Sequence, residues 1–160
     1  YACAYYGEMI TYLGMTAPMA LLALISWLRH PFRGDRAQVQ VNRISRREHG
    51  LMWLLTAAVT MGFYCILRAL GTANLLPGTI SVTTSFLAVY LTFRRSPLYA
   101  LGYAANDVVL IVLWLLAARE DRGYLAVAVC FAAFLANDLY GFVNWRRMEK
   151  KQAMACQKCA

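Results

Sequence analysis

The chain has 160 residues, of which 61% are hydrophobic, and a mean hydropathy of +0.47. Soluble domains use about 45–50% apolar residues, and a domain this short has too little interior to hide long apolar segments, so composition implies a polytopic membrane protein. The net charge of +8 does not mark a nucleic-acid binder, because the basic residues sit at the ends of apolar segments and do not interleave with aromatics on one face.

No basic segment precedes the first apolar run, so the opening does not read as a cleavable signal peptide, and a start at Tyr1 instead of Met is what a fragment lacking upstream helices would show. Residues 9–28, at about 1.5 Å per residue, are long enough to cross a hydrocarbon core of about 30 Å. Pro18 removes a backbone donor within this first helix and predicts a kink there. Glu8, at its start, reads as a solvated carboxylate favoured by the helix dipole. Residues 29–45 are a polar, arginine-rich linker ending in Ser45-Arg46-Arg47-Glu48. That S-x-x-E form is a capping box, which predicts a second helix over 46–70.

Gly71 and Pro77-Gly78 mark a short turn, and a third helix follows over 79–93. It carries Thr79, Ser81, Thr83, Thr84 and Ser85, hydroxyl residues that let membrane helices approach closely. A fourth helix is predicted over 98–118 and a fifth over 124–145, closed by Arg146, Arg147, Lys150 and Lys151. Residues 146–160 read as a tail without structure. Its Cys156 and Cys159 form a C-x-x-C, but zinc needs ligands that the neighbouring sequence does not offer. Cys65 and Cys130 lie inside apolar runs and Cys3 completes an odd set of five, which argues against a disulfide framework.

The reading is one transmembrane domain over 1–160. Of its 16 basic residues, 13 fall between Arg29 and Gly50, at Arg94-Arg95 and after Trp145, all on one side if the helices alternate. The positive-inside rule makes the linker and the C-terminus cytoplasmic.

Within the fourth and fifth helices, Asn106-Asp107 and Asn137-Asp138 repeat an amide–acid pair. A carboxylate at mid-membrane costs about 2.5–3.5 kcal/mol on insertion scales, so such residues normally face a partner, a cavity or a substrate. Tyr99, Tyr103, Asn106 and Leu110 share one helical face, a stripe suited to stacking a flat heterocycle and hydrogen-bonding its edge. Asn137, Gly141 and Asn144 share another, while Asp138 is in line with Phe142 and Trp145. The plainer readings are interhelical hydrogen bonds for the amides and an interfacial belt for Tyr99, Tyr140 and Trp145. No nucleophile–base pair, phosphate loop or metal-ligand cluster emerges, so the chain reads as neither an enzyme nor a cofactor binder.

The run TTSFLAVYLTFRRSPLYALGYAANDVVLIVLWL and then FLANDLYGFVNWRRMEK resemble the fifth to seventh helices of the PnuC-type nicotinamide riboside transporters. The Trp27-Leu28-Arg29 ending resembles that of the family's third helix and the Ser45-capped helix its fourth, so the resemblance covers residues 1–152. It implies an all-α integral membrane helical bundle built from SWEET-like three-helix repeats. This chain would supply the complete C-terminal repeat, the linking helix and one helix of the N-terminal repeat. It further implies facilitated diffusion of a vitamin-like nucleoside across a bacterial inner membrane, with phosphorylation trapping it inside. Residue pattern and resemblance together give Trp27, Thr83, Tyr99, Tyr103, Asn106, Asp107, Asn137, Asp138 and Asn144 as candidate substrate-binding residues. The family's sixth helix is rich in Trp where Ala100 and Tyr103 stand here, which leaves thiamine and riboflavin open as cargo. A non-transporting subunit whose polar faces dock a partner, a proton-coupled carrier using Asp107, and a homo-oligomer also remain open.

Overall fold

A computed structural model describes residues 6–33, 35–72 and 74–157. Cys3 and Cys159 lie outside the described residues, as does the side chain of Glu8. The first crossing joins α1 (Tyr6–Thr11), a π-turn at Tyr12–Thr16 and α2 (Ala17–Arg29). Pro18 has no N–H for the Gly14 carbonyl, and the chain takes up this defect as a wider turn in which Ala17 N bonds Tyr12 O.

After α2 the linker is not simply polar coil. It folds into an antiparallel hairpin of β1 (Pro31–Phe32) and β2 (Asp35–Val39). The predicted capping box then forms at the start of α3 (Arg46–Ala69): Ser45 Oγ accepts from Glu48 N at 3.3 Å and Glu48 Oε2 accepts from Ser45 N at 2.8 Å. Glu48 also pairs with Arg94, so one carboxylate caps α3 and ties it to the turn after the next helix.

The turn after α3 is a Schellman motif: Gly71 sits at φ 61°, its N–H bonding Arg68 O at 3.2 Å while Thr72 N bonds Leu67 O at 3.1 Å. The next helix, α4 (Leu75–Phe93), starts four residues earlier than expected and includes Pro77 and Gly78 in its first turn. Proline is tolerated there because first-turn N–H groups have no intrahelical acceptor.

Next come α5 (Tyr99–Ala117), a short 3₁₀ turn at Arg122–Tyr124, and α6 (Leu125–Gln157). Residues 146–157 of the expected unstructured tail are in fact the end of α6, which runs on past Trp145. Its last turns are held by the linker: Gln152 Nε2 donates to Val39 O and Gln152 Oε1 accepts from Val41 N, both at 2.9 Å. Glu149 accepts from Arg43 Nε and from Arg146, each at 2.8 Å.

Helices α4, α5 and α6 pack in sequence order with α5 in the middle, α3 lies against α4, and α2 crosses onto α4. Among the described residues, five helices are long and apolar enough to cross a membrane. The chain is therefore a multi-pass membrane protein whose outward Leu, Val, Ile and Phe side chains suit lipid. Its dry centre is Met15, Met52, Leu67, Val82, Phe86, Tyr90 and Leu91. Gly102 lets α5 lie close on α4: a Cβ there would fall 2.9 Å from Ala88 Cα.

Candidate functional site

Where α2, α5 and α6 meet, four aromatic rings cluster. Trp27 closes α2, Tyr99 opens α5, Tyr103 follows one turn on, and Trp145 comes from α6. Tyr99 is the centre, with ring centroids 4.9 Å from Trp145, 6.1 Å from Tyr103 and 6.3 Å from Trp27. Trp27 and Trp145 lie 5.3 Å apart. The edge-on and tilted angles and these spacings are those at which aromatic rings attract.

Polar tethers hold the rings. Trp27 Nε1 donates to Thr92 O at 2.9 Å, the Tyr103 hydroxyl lies near the Thr92 side chain, and that of Tyr99 lies near Trp145. Two hollows adjoin the cluster. One of about 170 Å³ lies between Ala20, Ala23, Trp27, Val89, Thr92 and Tyr103, and one of about 650 Å³ opens between Trp27, Leu28, Val39, Trp145 and Met148, under the hairpin.

The two acids of the repeated motif face each other between α5 and α6, where the carboxyl groups of Asp107 and Asp138 are near enough to interact. Asp107 is 5% exposed, and its Oδ2 has no donor among the described side chains. Asp138 is half-buried beside Asn137 and near both tyrosines. An aromatic cluster next to a pair of acids can stack a flat ring and favour positive charge on it.

The amides are not brought together. Asn106 is buried against α4, where its Oδ1 accepts from Ser85 at 2.9 Å and Thr84 at 2.8 Å. Asn137 is exposed on α6, and Asn144 is half-buried one to two turns further along. Thr83 lies apart from the rings. Its hydroxyl bonds Thr60 at 2.9 Å and lines a groove of about 570 Å³ between α3 and α4.

Trp145, which its neighbour Arg146 places at the membrane interface, is also a member of the cluster. The signal for it was the i, i+4, i+7 line from Asp138 through Phe142 to Trp145. His30 and His49 each bond the carbonyl four residues back, at 2.8 and 2.9 Å, in local turns. No group of three or more His, Cys, Asp or Glu residues is placed to hold a metal ion among the described residues.

Residues 1–147 match the family described as nicotinamide mononucleotide transporter. The chain belongs to this family. A curated member from Neisseria mucosa (strain ATCC 25996 / DSM 4631 / NCTC 10774 / M26), the nicotinamide riboside transporter PnuC, is 25% identical over 96% of this chain and 60% of its own length. A solved structure titled as the crystal structure of the vitamin B3 transporter PnuC superposes with a TM-score of 0.74. That match covers 95% of this chain and 66% of the other at 23% identity, and it shows a shared fold. This family member thus spans about 60% of the curated relative's length.

Proposed function

We propose that this chain forms the cargo site of a carrier for nicotinamide riboside or a chemically similar vitamin-like nucleoside. The observation that carries the reading is the aromatic cluster of Trp27, Tyr99, Tyr103 and Trp145 beside Asp107 and Asp138, inside the membrane-spanning helices and open to a cavity of about 650 Å³. A riboside joined through a pyridine nitrogen carries positive charge on a flat ring, which suits ring faces with an acid beside them. The names of the curated and structural relatives support the same cargo class.

Asn106, Asn137 and Asn144 are assigned to the polar edge of the path, and Thr83 to helix packing. Transport is by facilitated diffusion in the inner membrane, with phosphorylation in the cell removing the free nucleoside and the C-terminal end of α6 cytoplasmic. The cluster of arginines in the linker and after Trp145 supports that orientation. The rings stand where α2 and α6 reach the basic ends of their apolar runs and α5 begins, with Asp107 and Asp138 about two turns deeper, so cargo is placed between α2 and the α4–α6 unit at that end.

The test is uptake of labelled nicotinamide riboside by proteoliposomes holding the purified protein. Saturable uptake that equilibrates and does not concentrate the nucleoside is expected. Absence of uptake, with thiamine or riboflavin carried instead, would move the cargo assignment. A second reading, a subunit that docks a partner, draws support from Asn137 alone, an amide exposed on α6. It expects co-purification of another membrane protein that an Asn137→Leu variant loses.

A further inference from the structure

We infer that Ser81, Thr84 and Ser85 of α4 are positioning residues that set which edge of the Asn106 amide meets cargo; this rests on the carrier reading above. Three hydroxyls converge on one oxygen: Asn106 Oδ1 accepts from Ser85 Oγ at 2.9 Å, lies 2.8 Å from Thr84 Oγ1, whose single proton also reaches Ile80 O at 3.0 Å, and is 3.5 Å from Ser81 Oγ. Their i, i+3, i+4 spacing puts all three on one face of α4. The approach of α5 onto Ala88 at Gly102, one turn before Asn106, brings the amide within their reach.

An asparagine side chain offers an acceptor oxygen on one edge and two N–H donors on the other. With the oxygen held by α4, the NH₂ edge is the one left for cargo. Rotating the amide would take from the Ser85 hydroxyl the acceptor it has among the described residues, whereas Thr84 could turn its single proton to Ile80 O at 3.0 Å. The site therefore presents a fixed donor one turn beyond Tyr103. The matching ligand is a flat ring carrying a hydrogen-bond acceptor, such as a carboxamide oxygen, on the edge beyond the stacked face. Simple interhelical adhesion needs one such bond and fixes no choice of cargo.

The experiment is calorimetric binding to the purified protein in lipid nanodiscs. The two probes are nicotinamide riboside and the riboside of 3-methylpyridine, which keeps ring, charge and sugar but lacks the acceptor. Wild type is expected to prefer the carboxamide by about tenfold, the order of one hydrogen bond to a buried donor. The Thr84→Val/Ser85→Ala double variant is expected to bring that ratio towards one while still binding the methyl compound. Ser85→Thr, which keeps the hydroxyl, is expected to retain the preference. Should the double variant not fold, Ser85→Ala alone is expected to reduce the ratio part-way. An unchanged ratio in the variants, or both ligands weakened in proportion, overturns the inference while leaving the carrier reading intact. A wild-type protein that binds neither riboside overturns the carrier reading and this inference with it.

Discussion

Trp145 sits between Trp27 and Tyr99, with centroids 5.3 and 4.9 Å away, so a single indole joins α6 to both α2 and α5. Replacing it with alanine removes ring contacts on two sides. Trp145→Ala is expected to weaken riboside binding at least about tenfold, about 1.4 kcal/mol, and Trp145→Phe to recover most of it, as read by calorimetry. Asp107 presents a different balance. Its buried Oδ2 lacks a donor while its carboxyl faces that of Asp138. An amide at this position can donate across to Asp138, so Asp107→Asn is expected to leave the melting temperature in detergent unchanged or raised; a fall of several degrees would contradict this contact. Sequence alone identified Asn106 as a residue with a purpose, because an amide in an apolar run needs a partner. It did not show that the partners are Thr84 and Ser85, since which helix face meets which is settled by three-dimensional packing.

The hairpin and the last turns of α6 hold each other outside the apolar spans. Glu149 is the joint: its carboxylate is 10% exposed and takes Arg43 and Arg146 together, while those arginines remain 79% and 50% exposed. Screening of such exposed partners limits the pairing to about 1 kcal/mol. Glu149→Ala is therefore expected to cost only a few degrees of melting temperature, yet to release the end of α6, seen as faster hydrogen exchange over 146–157 while 125–145 is unaffected. At the seam of α4 and α5, Gly102→Val is expected to cost about 1–3 kcal/mol by overpacking against Ala88. The Ser45 capping box marked the start of α3 in sequence because its signal is local. The end of α6 was not legible: Arg146 to Lys151 read as the close of a membrane span, and the contacts with Val39, Val41 and Arg43 that keep those residues helical come from about 110 positions away.

Across the whole molecule, hydropathy made the number of crossings legible, because an unpaired backbone in lipid is so costly that each crossing must be one long apolar helix. The charge asymmetry gave an orientation that Cys156, an exposed thiol near the end of α6, makes testable. In intact cells, an impermeant maleimide is expected to leave Cys156 unlabelled until the membrane is opened. Sequence also supplied Trp27, Tyr99 and Tyr103 of the aromatic cluster, but not their convergence with Trp145, which follows from α2 crossing the α4–α6 unit. The account stands on that convergence as the place where cargo rests. Its most direct test is calorimetric titration of nicotinamide riboside into nanodisc-held protein, wild type against the Tyr99→Leu/Tyr103→Leu double variant. The account predicts saturable binding that the double variant loses while keeping a cooperative melt; equal affinity in the two proteins would contradict it.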